Sequence, residues 1–547
     1  MTALPLARRF GVGDMRAMIE VDASSPRPLG WWETRHFAYA MMALAALPLI
    51  WWPIPPLTDL LGHMGRYRVE LDVGTQSPLL HYYAFKWGIL GNLGVDLLVV
   101  PLSKLFGLEF SVKLIALAIP PLTVAGLLLV AREAYGRVPA TTLFALPLAY
   151  SYPFQFGFIN FALAMALMLL AFAFWLRLAR TGRLKLRRWL YLFVGFAVWL
   201  AHSFAWGVLG VLCWTAEFVR EKKRGRGWFE SWWRATVAVL PLVPPALLLL
   251  PWRGGEAPKG TFDWFDWTWK WRYFYSMLRD RWPAWDIGGA VLLTLVALSG
   301  LINPWRRIDP TLGLATLLLA LTFVLLPRVL LSSAYADMRL VPFMIAIAIL
   351  ALKPRLDRRL SPAVATIAVA FFAARMTAQT VSYALYERNY QTQLAALQHI
   401  QPGSRVMVLA TTPCRFVWHT QRTEHLSSMA IVRRESFVND QWMIPGQQLL
   451  SLRYRDAGRF SHDPTQLLRR PDCRARNEPL LADTLAHFPR QAFDYLWLID
   501  MPRAQLPIDA GLVELWQGPQ TGALYRIVGS ATASSDTPKG KEPRTAT

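Results

Sequence analysis

Three side chains that could take part in group-transfer chemistry lie within PPLTDLLGHMGRYRVELD, residues 55 to 72. Asp59, His63 and Arg66 stand at positions i, i+4 and i+7, so they share one face if the segment is helical. A carboxylate such as Asp59 can accept a proton from a hydroxyl group or help to hold a metal ion. An imidazole and a guanidinium can both bind phosphate, the guanidinium through a pair of parallel hydrogen bonds. The spacing therefore predicts a helix that directs a base and two phosphate-binding groups into a common space.

The position of Asp59 along the chain strengthens this interpretation. The apolar segment HFAYAMMALAALPLIWW ends at Trp52, only a few residues earlier, and its composition is typical of a membrane span. An ionised group at a membrane surface needs a partner or a function. Glu70 continues the same helical face, but for Glu70 and Asp72 the simpler interpretation is the solvated side of an amphipathic helix.

The composition of the chain is that of a membrane protein. Hydrophobic residues make up 54% of its 547 residues and charged residues 17%, whereas a soluble protein carries about a quarter charged residues. Long runs with few charges recur as far as residue 380, which predicts a polytopic membrane domain. The net charge of +22 (58 basic minus 36 acidic) fits basic cytoplasmic loops. Nucleic acid is not predicted as a partner, because no aromatic and basic module for RNA or DNA occurs.

Three loops with an excess of Lys and Arg set the predicted orientation: 177–188, 220–234 and 353–359 should be cytoplasmic. About eleven spans then fit the apolar segments, with the N-terminus in the cytoplasm and the C-terminus outside. The fit requires that 88–106 does not cross completely, and the polar residues of this segment suit a helix lying in the interface. The predicted spans are 37–52, 112–131, 139–152, 160–177, 189–202, 204–220, 234–251, 287–303, 311–327, 338–353 and 361–380.

The predicted fold class is an all-α polytopic membrane domain, with juxtamembrane helices in its first outer loop, followed by a small soluble α/β domain. Beyond the spans, the short apolar runs QPGSRVMVLA, FDYLWLID and ALYRIVG are bounded by Gly, Pro and Asp and predict buried strands. The predicted divisions are a cytoplasmic arm at 1–36, the membrane domain at 37–384 with outer loops at 53–111, 253–286 and 328–337, an extracytoplasmic α/β domain at 385–530, and a disordered tail at 531–547.

Two features of the predicted outer face leave alternatives open. The 253–286 loop contains six tryptophans, which could form an interfacial aromatic belt or a floor against a lipid or a sugar. Cys414 and Cys473 could form a disulfide if the C-terminal domain faces an oxidising compartment. No spacing of Cys and His typical of a zinc site occurs.

Other polar residues interrupt apolar segments at the predicted outer ends of spans. They are Tyr152, Gln155, Asn160, His202, Asp337 and Arg339. A lone histidine in an apolar segment is more often a packing residue, and Asp337 with Arg339 could equally be a helix cap and a snorkelling arginine. What the six share is a predicted depth near the outer leaflet, where the headgroup of a lipid phosphate would lie.

The chain resembles the GT-C-type membrane glycosyltransferases, such as protein O-mannosyltransferases and the aminoarabinose transferases of lipid A. The resemblance rests on WPIPPLTDLLGHMGRYRV after the first span, on the half-buried segment GILGNLGVDLLVVPLSKLFGLEFSVKL, and on the breaks at Asn160 and His202. Proteins of this family have a large first outer loop with an acidic residue close to the membrane, many short spans and often a soluble outer domain. Nearly the whole chain shares this layout, while the first outer loop carries the motif.

The resemblance implies an inverting hexosyltransferase of the cell (inner) membrane. It would move a sugar from a polyprenyl-phosphate donor to a glycan, lipid or protein acceptor at the extracytoplasmic face. Asp59 would be the loop acid that acts as the base or orients the acceptor, while Arg66, Arg339 and His63 would bind the donor phosphate. His202, Asn160, Tyr152, Gln155 and Asp337 would line the cavity by position.

The sequence departs from the family in one respect. Members commonly carry two clustered acids in the first outer loop, whereas Thr58 and Leu60 flank Asp59 here. No cofactor is therefore predicted, and a divalent metal is not favoured.

A transporter or flippase of a lipid-linked or small polar substrate is the main alternative. Such proteins often show internal repeats and binding residues at the bilayer midplane. This chain shows no internal repeat, and its polar residues group at one interface, which favours the enzyme. A structural or assembly protein is a third interpretation, and it would leave Asp59 freely replaceable.

Overall fold

The computed structural model describes residues 29–248, 260–302, 308–331, 333–353, 360–414, 417–444, 448–469 and 480–528. Within these residues the chain forms a large helical domain, followed by a smaller domain built on a mixed β-sheet. Residues 1–28 of the predicted arm and the predicted tail lie outside the described residues.

Fifteen α-helices precede the sheet in the described part of the chain. They are α1 (Arg35–Ile50), α2 (Leu60–Leu71), α3 (Leu79–Tyr82), α4 (Gly94–Phe106), α5 (Leu108–Tyr135), α6 (Tyr152–Gln155), α7 (Ile159–Arg180), α8 (Leu184–Ala201), α9 (Ser203–Lys223), α10 (Trp228–Val239), α11 (Trp267–Tyr275), α12 (Pro283–Ile302), α13 (Pro310–Leu325), α14 (Val341–Leu350) and α15 (Leu360–Leu394).

Four helices of the described residues are long and apolar enough to cross a membrane. These are α5, α7, α12 and the helix Leu360–His399, which contains α15, while α1, α13 and α14 are apolar but shorter. The predicted count of eleven spans is not confirmed. Segment 139–152 forms a buried 3-10 helix, Ala140–Tyr150, with Pro147 inside it. Segment 234–251 leaves the α-helical conformation at Val239, two residues before Pro241, because proline cannot donate a backbone hydrogen bond.

Helix α4 lies in the segment that the sequence places at the membrane interface. Its 13 residues extend about 20 Å, less than the roughly 30 Å of a hydrocarbon core. Asn160, at the start of α7, anchors the beginning of α4. Its amide nitrogen donates to the carbonyl oxygen of Asn92 at 2.9 Å, and its amide oxygen accepts from the backbone N–H of Val95 at 2.5 Å.

The smaller domain contains one six-stranded sheet in the order β3-β2-β6-β8-β7, with β5 also paired to β2. Strand β2 is parallel to β3, β5 and β6, whereas β8 is antiparallel to β6 and β7. The three predicted strands are present as β2, β6 and β8. The shorter ones escape prediction, because two or three residues show no periodicity. The strands are β2 (Arg405–Thr412), β3 (Phe437–Val438), β5 (Leu467–Arg469), β6 (Tyr495–Pro502), β7 (Leu512–Gln517) and β8 (Thr521–Ile527).

The first outer loop is joined to the smaller domain. Strand β1 (Tyr83–Phe85) of this loop pairs antiparallel with β4 (Leu450–Leu452). Helix α2 packs against α16 (Ser428–Arg434) of the smaller domain. The smaller domain also contains α17 (Leu481–His487). The contact is close, since a Cβ on Gly62 would lie 2.5 Å from the ring of Trp442. The predicted boundary at residues 384 and 385 falls inside α15, which runs through it without a break.

Close helix packing inside the large domain gives a first testable prediction. A Cβ on Gly126 of α5 would lie 2.6 Å from the Cβ of Leu169 in α7, so Gly126→Ala forces the two helices apart. Overpacking of this kind costs about 1–3 kcal/mol, and we expect a lower Tm for the purified protein in detergent. Gly288→Ala in α12 is the matched control, because nothing lies within 4 Å of its added Cβ. An unchanged Tm for Gly126→Ala would contradict this packing.

Candidate active site

Asp59 occupies the N-cap position of α2, directly after the chain leaves α1 and turns at its prolines. Its backbone N–H donates to the carbonyl oxygen of Phe156 at 2.9 Å. Gly157 has a φ of +93° and lies so close that a Cβ there would be 2.6 Å from the Asp59 nitrogen. The backbone of Asp59 is therefore fixed by the α6–α7 connection. Its carboxylate caps no N–H of α2 and is left half-buried toward the site.

The smaller domain places three titratable side chains next to Asp59: Glu424, His425 and Asp463. Glu424 and His425 follow β2 on the loop beyond the carboxyl end of a parallel strand, which is where open α/β sheets bind ligands. None of the three is among the site residues predicted from the sequence. Only the position of the polar run TEHLSS after a buried strand could have indicated two of them.

His425 is fixed from two sides. Its Nδ1 lies 3.0 Å from the backbone oxygen of Asp440 and donates to it. The neutral ring therefore carries its proton on Nδ1, and Nε2 is the nitrogen that can accept a proton. The ring packs against Trp442, with 4.2 Å between ring centroids. Asp440 in turn accepts hydrogen bonds from the hydroxyls of Ser427 (2.6 Å) and Ser428 (2.8 Å). The imidazole therefore faces the carboxylates in one fixed orientation.

Burial raises the pKa of Asp59 to about 8; Glu424 and Asp463 add to this effect, while His425 and Arg339 oppose it. Burial also raises the pKa of Glu424 above its ordinary value. For His425 burial acts in the opposite direction, but the surrounding carboxylates outweigh it, and the net pKa is raised. Near neutral pH the site thus contains acids that keep a proton more readily than usual, beside an imidazole that is readily protonated.

Arg339 supplies a cation to the same site. Its Nη1 donates to the hydroxyl of Ser333 at 3.2 Å, and its guanidinium carbon lies 4.3 Å from the ring centroid of Phe158. The buried Nε of Arg339 has no hydrogen-bond partner among the described residues. Arg339 lies within electrostatic range of both Asp59 and His202. A guanidinium with an unused N–H that is not paired to a carboxylate is suited to hold an oxyanion.

His202 separates α8 from α9 and caps the second of these helices. Its Nδ1 accepts a hydrogen bond from the backbone N–H of Phe204 at 3.2 Å, so the proton of the neutral ring is on Nε2. The ring meets Phe161 edge to face at 5.5 Å. His202 therefore offers a donor on the side that remains accessible.

Two predicted phosphate-binding residues of α2 have other partners. The guanidinium of Arg66 is buried and forms an ion pair with Asp96 of α4, whose other oxygen accepts from Asn160 at 3.0 Å. The ring of His63 lies 5.0 Å from that of Trp442 and 6.3 Å from that of Tyr67. The predicted shared face exists, but its three members point to different surroundings.

Three predicted cavity residues also belong to buried networks. The amide oxygen of Gln155 accepts from Tyr383 and Arg422, each at 2.9 Å. The hydroxyl of Tyr152 accepts from Arg279 at 2.9 Å. Asp337 lies 3.2 Å from the ammonium nitrogen of Lys270, and both side chains are buried. These contacts hold the walls of the site in place.

Tyr335, in the predicted outer loop 328–337, has a left-handed φ of 62° and packs on Phe156 with 5.3 Å between ring centroids. Arg328 of the same loop contacts the tryptophan-rich loop 253–286. The guanidinium carbon of Arg328 lies 5.4 Å from the Tyr335 ring centroid and 4.2 Å from that of Trp269. Other tryptophans of this loop, among them Trp271, are exposed. Trp269 therefore packs toward Arg328, which also contacts Tyr335, whereas Trp271 is exposed.

A cavity of about 330 Å³ opens along α9, starting one helical turn beyond His202. Trp206 and Gly210, four and eight residues after His202, line it together with residues of α13 and of the segment after α10, among them Leu318 and Leu242. Its lining is almost entirely apolar. A groove of this kind accepts a hydrocarbon chain rather than a polar ligand.

Within the described ranges no group of three or more His, Cys, Asp or Glu side chains could hold a metal ion. Metal independence stays a prediction. Cys414 is disulfide-bonded and Cys213 is a buried free cysteine, whereas Cys473 lies outside the described residues.

Three solved structures are similar to this chain, each at low sequence identity and with a TM-score below 0.5. No protein-family model and no curated protein sequence matches this chain. The chain is similar to ArnT from Cupriavidus metallidurans bound to undecaprenyl phosphate, with 14% identity, a TM-score of 0.46, and coverage of 90% of this chain and 98% of ArnT. For the apo state of ArnT the TM-score is 0.47, and 97% of that chain is covered. The arabinofuranosyltransferase AftD from Mycobacteria is 16% identical with a TM-score of 0.44, over 91% of this chain and 42% of AftD.

Proposed function

We propose that the chain is a membrane glycosyltransferase that moves a sugar from a polyprenyl-phosphate donor to an acceptor hydroxyl at the extracytoplasmic face of the cell membrane. The observation that carries this proposal is the meeting of Asp59 and Arg339 at one half-buried place. An acid whose pKa burial raises to about 8 and a guanidinium that has no carboxylate partner among the described residues are the two groups that acceptor activation and phosphate departure require.

In the proposed reaction the acceptor oxygen attacks the anomeric carbon of the donor sugar and forms the new glycosidic bond. The bond between that carbon and the phosphate oxygen breaks, and its electron pair leaves with the lipid phosphate. The acceptor proton passes to the carboxylate of Asp59. Negative charge develops on the phosphate, where Arg339 stabilises it, with the Nε2 proton of His202 as a second donor. Attack from the side opposite the phosphate gives inversion at the anomeric carbon.

The apolar groove along α9 supports a lipid-linked donor. A lipid whose phosphate lies between His202 and Arg339 can place its hydrocarbon chain beside Trp206, Gly210 and Trp214, which follow His202 at intervals of one helical turn. Arg66 and Asp337 are assigned no contact with the donor, because each is occupied in a buried ion pair. His63 is likewise assigned none, because its ring packs on Trp442.

The alternative function of a transporter has less support from the site. A carrier needs a substrate site near the midplane that is accessible from both sides. Asp59, His202 and Arg339 instead lie at or next to the ends of helices, and Glu424 and His425 of the smaller domain lie beside Asp59. This arrangement suits a reaction at one face of the membrane.

Replacement of the proposed base gives the principal test. We expect Asp59→Asn to lower sugar transfer by about 10²- to 10⁴-fold, because the amide cannot accept the acceptor proton. Purified protein in liposomes is supplied with radiolabelled polyprenyl-phosphate sugars and with membrane extract as the source of acceptor, and loss of labelled donor is followed with and without chelator.

Asp456→Asn is the matched control, since it makes the same change at an exposed acid of the smaller domain. Equal turnover by Asp59→Asn and the wild type would contradict the role of Asp59. Loss of turnover on addition of chelator would contradict the prediction that no metal is needed.

The pH dependence of the reaction follows from the same group. Only the deprotonated carboxylate of Asp59 can act as the base, and burial raises its pKa to about 8. We therefore expect kcat/KM to rise with pH, to reach half its maximum near pH 8 and to level off above it. A rate that is already constant between pH 6 and 9 would exclude a base with this pKa.

The groove gives a prediction about the donor chain. Gly210→Leu fills the groove, so we expect the KM for an undecaprenyl donor to rise about tenfold, equivalent to roughly 1.4 kcal/mol, while a donor with a short isoprenoid chain is unaffected. Gly288→Leu is the control, because it adds the same side chain at an exposed position of α12. Equal effects on long and short donors would show that the chain does not lie in this groove.

A further inference from the structure

Arg422 is one of the most deeply buried charged side chains in the described residues, and it lies just before Glu424 and His425. Its guanidinium forms an ion pair with Asp280, donates to the carbonyl oxygen of Pro56, and donates to the amide oxygen of Gln155 at 2.9 Å. These partners come from the segment before α12, from the first outer loop and from α6. One side chain of the smaller domain thus contacts three separate segments of the helical domain.

Helix α15 supplies the remaining wall around this cation. The guanidinium carbon of Arg422 lies 4.3 Å from the ring centroid of Tyr386 and 5.0 Å from that of Tyr383. The hydroxyl of Tyr390 donates to the backbone oxygen of Arg422 at 2.5 Å. Both the side chain and the backbone of Arg422 are therefore fixed.

The partners of Arg422 are close in sequence to the groups of the proposed site. Pro56 lies three residues before Asp59, and Gln155 lies two residues before Gly157, which contacts the Asp59 backbone. The backbone N–H of Thr58 donates to the Gln155 carbonyl at 3.3 Å, and its hydroxyl donates to the carbonyl oxygen of Gln421 at 3.1 Å. The backbone before Asp59 and the chain before Glu424 are thus held by hydrogen bonds near the same guanidinium.

We propose that Arg422 is a positioning residue that sets the distance between Asp59 of the helical domain and the Glu424–His425 pair of the smaller domain. The smaller domain is then a working part of the catalytic site rather than an appended module. The inference rests on the proposed glycosyl transfer and adds to it that the site is complete only when the two domains are held together.

Arginine is required at this place for a geometric reason. Its planar fork can donate to acceptors in three directions at once, whereas the ammonium of lysine is a compact charge on a flexible stem. Arg422→Lys keeps the positive charge beside Asp280 but cannot span Pro56, Gln155 and Asp280 together. It therefore loosens the connection without leaving Asp280 unpaired.

The test compares Arg422→Lys with Arg187→Lys. Arg187 is also buried, forms an ion pair with Glu217 at 2.6 Å and lies 3.9 Å from the Trp175 ring centroid. It stands near the opposite end of α8 from His202, about 20 Å away. The two variants thus make the same chemical change in equivalent surroundings, near to and far from the site.

We expect Arg422→Lys to lower kcat about 10²-fold with little change in the KM for the donor, because small misplacements of reacting groups carry this cost. We also expect the acid limb of its pH–rate profile to move below that of the wild type. Water that enters the loosened site removes the burial that raises the pKa of Asp59. Arg187→Lys should leave both quantities unchanged per mole of folded protein. Equal effects of the two variants, or a lower rate with an unmoved acid limb, would overturn the proposal.

A second readout does not depend on turnover. Spin labels on Phe106→Cys in α4 and Ile508→Cys in the smaller domain, both exposed positions, report the distance between the domains. We expect a broader or shifted distance distribution in Arg422→Lys and not in Arg187→Lys. If the distance distribution changes in Arg422→Lys but the wild type transfers no sugar, the proposed function is disproved and the positioning role is supported. An unchanged distance distribution would overturn the positioning role. Should Arg422→Lys fail to fold, Thr58→Val removes the neighbouring hydrogen bond to Gln421 and is expected to shift both readouts in the same direction.

Discussion

The buried guanidinium of Arg422 imposes a constraint that the rest of the structure has to meet. A charge removed from water is tolerated only when it is paired, and loss of its partner costs several kcal/mol. The partners of Arg422 belong to three segments of the helical domain. Their positions restrict the orientation in which the smaller domain packs against the helical domain. Strand pairing between β1 and β4 and the packing of α2 on α16 follow the same arrangement. The site lies where these contacts bring the two domains together.

The properties of the site follow from its place between the domains. Asp59 would be an ordinary surface acid on the first outer loop alone, because its carboxylate caps no helix and has no cation beside it in sequence. In the folded protein Glu424 and His425 of the smaller domain lie beside it, and burial is the main cause of its raised pKa. Arg339 reaches the same place from the segment before α14 and keeps an unused N–H. Packing of the two domains therefore gives common side chains the reactivity that the proposed chemistry needs.

Residues of the same type in this protein differ in role because their partners differ. Both Arg66 and Arg339 are predicted from the sequence to bind phosphate, yet Arg66 pairs with Asp96, thirty residues away, while Arg339 forms no ion pair with a carboxylate of the described residues and donates to the Ser333 hydroxyl. Asp59 and Asp337 were both acids near predicted membrane ends, yet the charge of Asp337 is balanced by Lys270, which lies 67 residues earlier. No local pattern contains these partners. Long-range contacts therefore decide whether a charged side chain forms an ion pair between helices or is available to a substrate.

The sequence by itself determined the class of molecule: an apolar helical domain, a smaller domain with three central strands, and an acid that lies just after the first span. These features follow from local composition and periodicity, which can be read from a short window of residues. Only the tertiary structure decided the short helices and 3-10 segments around internal prolines, the antiparallel pairing of β1 with β4, and the contribution of Glu424, His425 and Asp463 to the site. Those three residues lie more than 360 positions after Asp59. Their proximity is the result of buried charge pairing and sheet formation, and no single stretch of sequence specifies either.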